Sequence, residues 1–413
     1  MGPLVGHYVN FSETCHSVDL RRFDLSSHGG RAPRIALWVG ATCLSWLALY
    51  VVGWPASVYR DFDFFGFWAG GRAVLEGLDP YDPRVAASLP RAFGSAGNAL
   101  LVGSGYGYPL PTALLTLPFS ALPLPIAAPG WLVLQVAAAA AALIALGRRL
   151  FPATHRRDTF VLLALLGASQ AAWVLAWSGN IGGFLIAIVA VALVLLLDGH
   201  AVAAGALLGL LVVKPHLFLW AVPLLLVYSP ARLRIAAGGA AVSGALLLAS
   251  LVVLPGWPAG WLASALRLQG TNVSRANAWG PMPADARWLG WIAIAAALAA
   301  FLWWWAERRP DLATFFGVAL ALSLLGAPYV WSNDHVILGV TAAVALAHAA
   351  RLGERERAAV LVALAVTLVF LPWLLYLRTW HTGDEPATGL IPLLMALIAG
   401  WSARAREPLL ASP

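Results

Sequence analysis

The sequence predicts an all-α polytopic membrane protein of about twelve crossings, and three observations carry that expectation. Hydrophobic residues make up 61% of the 413 and charged residues only 11%, where soluble domains hold roughly a quarter charged. Apolar runs long enough, or nearly so, to cross a bilayer recur along the whole chain. Arginines gather in the short connections between those runs, the usual signal of orientation. The net charge of +7 is therefore a property of linkers, and no nucleic-acid footprint accompanies it. Cys15 lies in a polar tail and Cys43 in an apolar run, surroundings too different for a disulfide framework.

In order, residues 1–34 read as a cytoplasmic N-terminal tail: they are polar and mixed, lack a signal-peptide pattern, and place Arg21, Arg22, Arg31 and Arg34 ahead of the first run. The candidate crossings are 35–53, 131–147, 160–177, 181–197, 201–213, 216–229, 235–254, 288–306, 313–330, 335–350, 357–377 and 389–401. The 201–213 and 216–229 runs are either two crossings or one long helix broken at Lys214-Pro215. Between Tyr108 and Pro125, prolines at 109, 111, 118, 123 and 125 favour a short interfacial or re-entrant piece over a spanning helix.

If that piece does not cross, the connections bearing Arg148, Arg149, Arg156, Arg157, Arg232, Arg234, Arg308, Arg309, Arg351, Arg355 and Arg357 share one side with both termini. The expected organisation is a transmembrane domain over 35–402, with 54–130 as a long outer loop and 403–413 as a cytoplasmic C-terminal tail. The outer side then receives Ser178-Gly179-Asn180, Lys214-Pro215-His216, the 255–287 loop and Trp331-Ser332-Asn333-Asp334-His335. Polar chemistry confined to one leaflet suits a surface enzyme better than a conduit.

The stretch Asp61-Phe62-Asp63-Phe64-Phe65-Gly66-Phe67-Trp68 puts two carboxylates among aromatic rings beside the membrane, where charge is costly unless compensated. Asp63 stands at the N-cap position of a helix from Phe64 to Leu75, and either carboxylate has the chemistry of a general base. Spacing does not separate Asp61 from Asp63. Lys214 is the only lysine in the chain and interrupts an apolar run. It either snorkels to the interface or holds an anion such as a phosphate. His216 shares that anion or packs. Asn333, Asp334 and His335 form a polar turn that caps the next helix or works beside a phosphate or sugar hydroxyl. Asn180 closes a tight hairpin or lines a site. Trp257, Trp261, Trp279, Arg267 and Arg275 of the 255–287 loop form an interfacial belt or cover a sugar.

No P-loop, dinucleotide fingerprint or zinc spacing is present in the sequence, so no cofactor is expected; carboxylates at 61 and 63 could bind a metal, but the lysine argues against the need for one, and none is expected. The competing class is a transporter or lipid-linked-sugar flippase that makes no bond, but no internal repeat supports an inverted-repeat transporter. A structural or assembly protein would leave Lys214 unexplained.

Asp63-Phe64-x-x-Phe67-Trp68-x-Gly70, Glu76-Gly77-x-Asp79-Pro80-Tyr81-Asp82, Tyr108-Pro109, Gly179-Asn180, Val213-Lys214-Pro215, Ser323-x-x-x-Ala327-Pro328 and Trp331 with Asp334-His335 occur in that order. The ordered set resembles glycosyltransferase family 87, a polyprenyl-phosphate-mannose-dependent, mannosyltransferase-like group of the GT-C superfamily. The resemblance implies a GT-C architecture with juxtamembrane helices in the first outer loop and an essential aspartate near its start, which here selects Asp63 over Asp61. It implies that Lys214 and His335 hold or neutralise the donor phosphate, which His216, from its place beside Lys214, could share. Asn180, Tyr81, Tyr108, Asn333, Asp334 and Trp279 would line the substrates. The implied partners are a polyprenyl-phosphate-linked sugar donor, a lipid or glycan acceptor and membrane lipids, at the plasma membrane with the site facing outward. The family's Tyr-Pro-Pro stands here as Tyr108-Pro109-Leu110-Pro111, and Asn180 replaces a frequent Gln; sugar and acceptor stay open.

Overall fold

The computed structural model describes residues 63–85, 88, 106–271, 276–280, 282, 284–379 and 386–404. Asp61, the N-terminal tail, the 35–53 run and Arg275 lie outside the described residues. Every described element of regular structure is helical. In chain order these are α1 (Asp63–Leu75), α2 (Leu110–Ser120), α3 (Leu124–Leu150), α4 (Asp158–Gly167), α5 (Gln170–Ser178), α6 (Gly182–Leu197), α7 (Ala201–Gly209) and α8 (Ala221–Tyr228). There follow α9 (Arg232–Val253), α10 (Trp257–Thr271), α11 (Trp288–Arg308), α12 (Leu312–Leu325), α13 (Leu338–Ala349), α14 (Glu354–Ala365), α15 (Leu371–Thr379) and α16 (Leu390–Ser402).

The apolar runs from 131 onward fall mostly on helix, though the 313–330 run leaves its helix after Leu325, and the chain is membrane-embedded. Among the described residues four helices are long and apolar enough to span alone: α3, α9, α11 and the continuous Glu354–Arg378 rod. A fifth span forms if Ala153–Gly167 and α5, bent by 62° at Ala168-Ser169, count together. The other apolar helices, among them α6, α12 and α16, have 10–17 residues. The twelve-crossing expectation thus meets many helices shorter than the roughly 20 residues a full crossing needs. The proline-rich 108–125 segment forms the eleven-residue α2, again too short to span by itself. Pro111 opens it and Pro118 lies inside it. Pro123 then sets the N-terminus of α3, where a missing N–H costs nothing.

Helices α12 and α13 form the centre; they are apolar or small except at His348, whose Nε2 lies 2.6 Å from Thr314 Oγ1. All of α13 and all of α12 beyond Leu312 is buried. Gly317 leaves room for their close approach, and Thr341 Oγ1 donates to its carbonyl at 2.7 Å.

Helices α7 and α9 touch backbone to backbone. A Cβ at Gly205 would lie 2.0 Å from the Ile235 carbonyl oxygen, and one at Gly209 2.6 Å from that of Gly239. The pairing 205 with 235 and 209 with 239 makes the two helices parallel, so α8 must carry the chain back between them. Small residues permit this approach where dispersion, not water expulsion, drives helix association. Gly205→Ala should lower stability in detergent by about 1–3 kcal/mol, read as an earlier thermal unfolding. Gly244→Ala, on the same helix pair but with nothing near its would-be Cβ, should leave the midpoint in place.

The two ends of α3 identify two polar levels. At its C-terminal end Arg149 Nε donates to Asp198 Oδ1 at 2.6 Å. Arg357 Nη2 makes a pair of the same kind with Asp158 Oδ1 at 2.6 Å, and next to Arg309 the Pro310 carbonyl accepts from Tyr228 OH at 2.7 Å. Near its N-terminal end Trp131 Nε1 donates to the Gly179 carbonyl at 2.8 Å, and the unusual polar residues collect there.

Candidate active site

Helix α1 brings Asp63 into the protein. From Phe64 to Gly71 every residue is buried, with Phe64 5.4 Å from Trp131 and Phe67 4.5 Å from Tyr108 between ring centroids. Gly70 lies under the Tyr106 ring and Gly71 under Ser120, each too close for a Cβ. Aromatic anchoring of this kind fixes the helix start. Asp63 is its first residue, and its half-buried carboxylate reaches across to another element.

That element is the turn after α5. Gly179 has φ 66°, the left-handed region that glycine enters without penalty, and a Cβ there would meet Phe64 Cβ at 2.6 Å. The turn delivers Asn180, whose Nδ2 donates to Asp63 Oδ2 at 2.8 Å. Asn333 Nδ2 approaches the same oxygen at 3.5 Å and Ser178 Oγ at 3.4 Å.

The chain breaks at Lys214, between two 3-10 turns, Leu210–Val213 and Pro215–Phe218. Thr112 Oγ1 of α2 takes up the Val213 carbonyl at 3.0 Å, one of the acceptors that the interrupted helix releases. Lys214 is 2% exposed, and its Nζ lies 2.5 Å from Asp334 Oδ1 and 3.4 Å from Asn180 Oδ1. Asp334 belongs to a 3-10 turn, Ser332–Ile337, and its Oδ2 also accepts from the Trp331 N–H at 3.2 Å. Gln170 of α5 fixes that turn through Ser332 Oγ at 2.8 Å. One connected network therefore runs Asp63, Asn180, Lys214, Asp334.

Other sequence-derived candidates are placed differently. His335 turns away from Asp63, its Nε2 donating to the Ala276 carbonyl at 3.0 Å. It thereby ties the 276–280 segment to the turn, and a role on a phosphate would fall to Nδ1. Asn277 reinforces that tie on the Ala327 carbonyl at 2.8 Å. Trp279 is buried over Gly290 and 4.9 Å from Trp291 between centroids, packing rather than presenting a face. Tyr81 is buried, and its OH donates to the Tyr108 carbonyl at 2.8 Å. Tyr108 itself is half-buried beside Phe67. His216 carries a buried Nε2 with no hydrogen-bond partner among the described residues. Ser178 and Gln170 belong to the network although neither stood out in the sequence; Ser178 was signalled only by its place next to Gly179-Asn180.

Burial pushes the Asp63 carboxyl above its ordinary value; the Asn180 hydrogen bond, the Lys214 charge and Ser178 oppose the rise, and the Asp334 charge adds to it. A carboxylate whose charged form is disfavoured by burial is a stronger base than one in water. Among the described residues no three His, Cys, Asp or Glu side chains converge as metal ligands would.

No curated protein and no solved structure matches the chain. The model of glycosyltransferase family 87 matches residues 106–413. The matched stretch contains Tyr108, Asn180, Lys214, His216 and the 333–335 turn, while Asp63 precedes it and joins it through Asn180. A match over most of the chain, on a helical membrane protein, means that this protein belongs to glycosyltransferase family 87.

Proposed function

We propose that this membrane glycosyltransferase moves a sugar from a polyprenyl-phosphate carrier to a hydroxyl of a lipid or glycan acceptor, at the non-cytoplasmic face, with Asp63 as general base. The single observation that carries the reading is the Asp63 carboxylate, half-buried beside Tyr108 and held on Oδ2 by Asn180. A mannose-like hexose fits the family, and a pentose is the alternative donor sugar.

In the proposed step the acceptor hydroxyl oxygen attacks the anomeric carbon as Asp63 takes its proton. The bond from that carbon to the phosphate oxygen breaks, and polyprenyl phosphate leaves with the electron pair. One displacement inverts the anomeric configuration. Such a donor is already activated and needs no nucleotide-binding loop. The leaving phosphate needs donors that strengthen as charge develops, and His216, whose Nε2 has no partner among the described residues, supplies one.

Incubating the purified protein with a panel of radiolabelled polyprenyl-phosphate sugars and membrane lipid or glycan acceptors tests the proposal. Transfer of label from at least one lipid-linked sugar is expected. Transfer from nucleotide sugars alone would overturn it.

A further inference from the structure

We infer that Lys214 is a positioning residue: its ammonium locks the orientation of the Asn180 carboxamide, and through that amide it holds the base. The inference rests on the glycosyl-transfer reading with Asp63 as base, and it replaces a direct contact between Lys214 and the donor phosphate.

The geometry points to it in three ways. The Lys214 ammonium is enclosed, 2% exposed, and already paired with Asp334 at 2.5 Å. Its charge is compensated within the protein, so an incoming phosphate would have to displace a buried carboxylate to reach it. The second contact of Nζ is Asn180 Oδ1 at 3.4 Å, while Asn180 Nδ2 lies 2.8 Å from Asp63 Oδ2. An ammonium only donates and a carboxylate only accepts. Turning the amide over would place its oxygen against the Asp63 carboxylate and its NH2 against the ammonium, two repulsive contacts in place of two attractive ones. Only one of the two amide orientations satisfies both neighbours.

Asn333 supplies the contrast. Its Nδ2 lies farther from the same carboxylate oxygen, at 3.5 Å, and its Oδ1 is buried with no donor among the described residues. No cation among the described residues holds that amide, so it cannot substitute for the locked one. A base must sit within hydrogen-bond reach, roughly 2.6–3.2 Å, of the hydroxyl it deprotonates, and a misplacement on the order of 1 Å costs about 100-fold in rate. A lysine that never touches substrate thus acts on kcat.

The double variant Lys214→Met/Asp334→Asn tests this without leaving a lone buried charge and keeps an acceptor for the Trp331 N–H, and Lys214→Met alone is measured beside it. The full-length protein in detergent should keep its thermal midpoint in the double variant. Its kcat should fall, by up to about 100-fold, with the KM for the polyprenyl-phosphate sugar within about twofold. The acid limb of its kcat/KM profile should move to higher pH, because a freed amide no longer favours the ionised Asp63. A raised donor KM with kcat unaltered would show that Lys214 ligates the phosphate and would overturn the inference. Unaltered kcat, KM and pH profile would also overturn it. Asp63→Asn separates the two levels: if that variant keeps the wild-type rate, the base assignment itself is wrong.

Discussion

Asp63→Asn should abolish transfer while leaving the protein folded. General-base catalysis contributes about 10²- to 10⁴-fold, and the amide cannot take the acceptor's proton, so product formation should drop by that factor with little change in donor binding. The substitution is nearly isosteric, and the anchoring of α1 rests on Phe64, Phe65, Phe67 and Trp68, all buried, not on the carboxylate. Detergent-purified variant and wild type should therefore elute alike and unfold at similar temperatures. Burial raises the Asp63 pKa, so the wild-type rate should rise with pH through a value above that of a carboxyl in water and level off once the group is ionised. Transfer at wild-type rate by the asparagine variant would remove Asp63 from the mechanism.

Asp334→Ala should be the most damaging substitution to the fold. It leaves the Lys214 ammonium in a site where the pair is 2% and 0% exposed, and stranding one partner of a buried ion pair costs about 3–5 kcal/mol. It also takes the acceptor from the Trp331 N–H, loosening the turn that carries Asn333 and His335. A thermal midpoint well below wild type is expected in detergent. Adding Lys214→Met to Asp334→Ala should restore much of the loss, since no charge then remains to be compensated. If Asp334→Ala unfolds with the wild type, water reaches Lys214 and the pair is not a closed one.

Much of the network was legible in the chain because its members break a physical rule. Asp63 among phenylalanines, a lone lysine inside an apolar run, and Asn333-Asp334 between two apolar segments each demand compensation in a low-dielectric setting. Such residues can satisfy one another only by meeting, and the structure brings them together. The same reasoning says nothing about direction. His335 and Trp279 are equally conspicuous in sequence, yet one anchors the Ala276 carbonyl and the other packs on Trp291. Which atom an imidazole or indole faces depends on the neighbouring backbone, and that backbone is distant in sequence. Ser178 and Gln170 escaped notice because a hydroxyl or an amide inside a helix raises no alarm until its partner is known.

Hydrophobicity, arginine placement and misplaced charge suffice to establish a helical membrane protein and to name most of the polar residues that cluster, since each is a consequence of moving local groups out of water. Partner choice lies beyond such local rules. That Lys214 spends its charge on Asp334 and Asn180 follows from the way α5, the 210–218 break and the 332–337 turn converge. That α7 and α9 run side by side through glycines follows from close packing. Both are set by contacts between segments far apart in the chain, where distance and orientation, not residue type, decide which interaction wins.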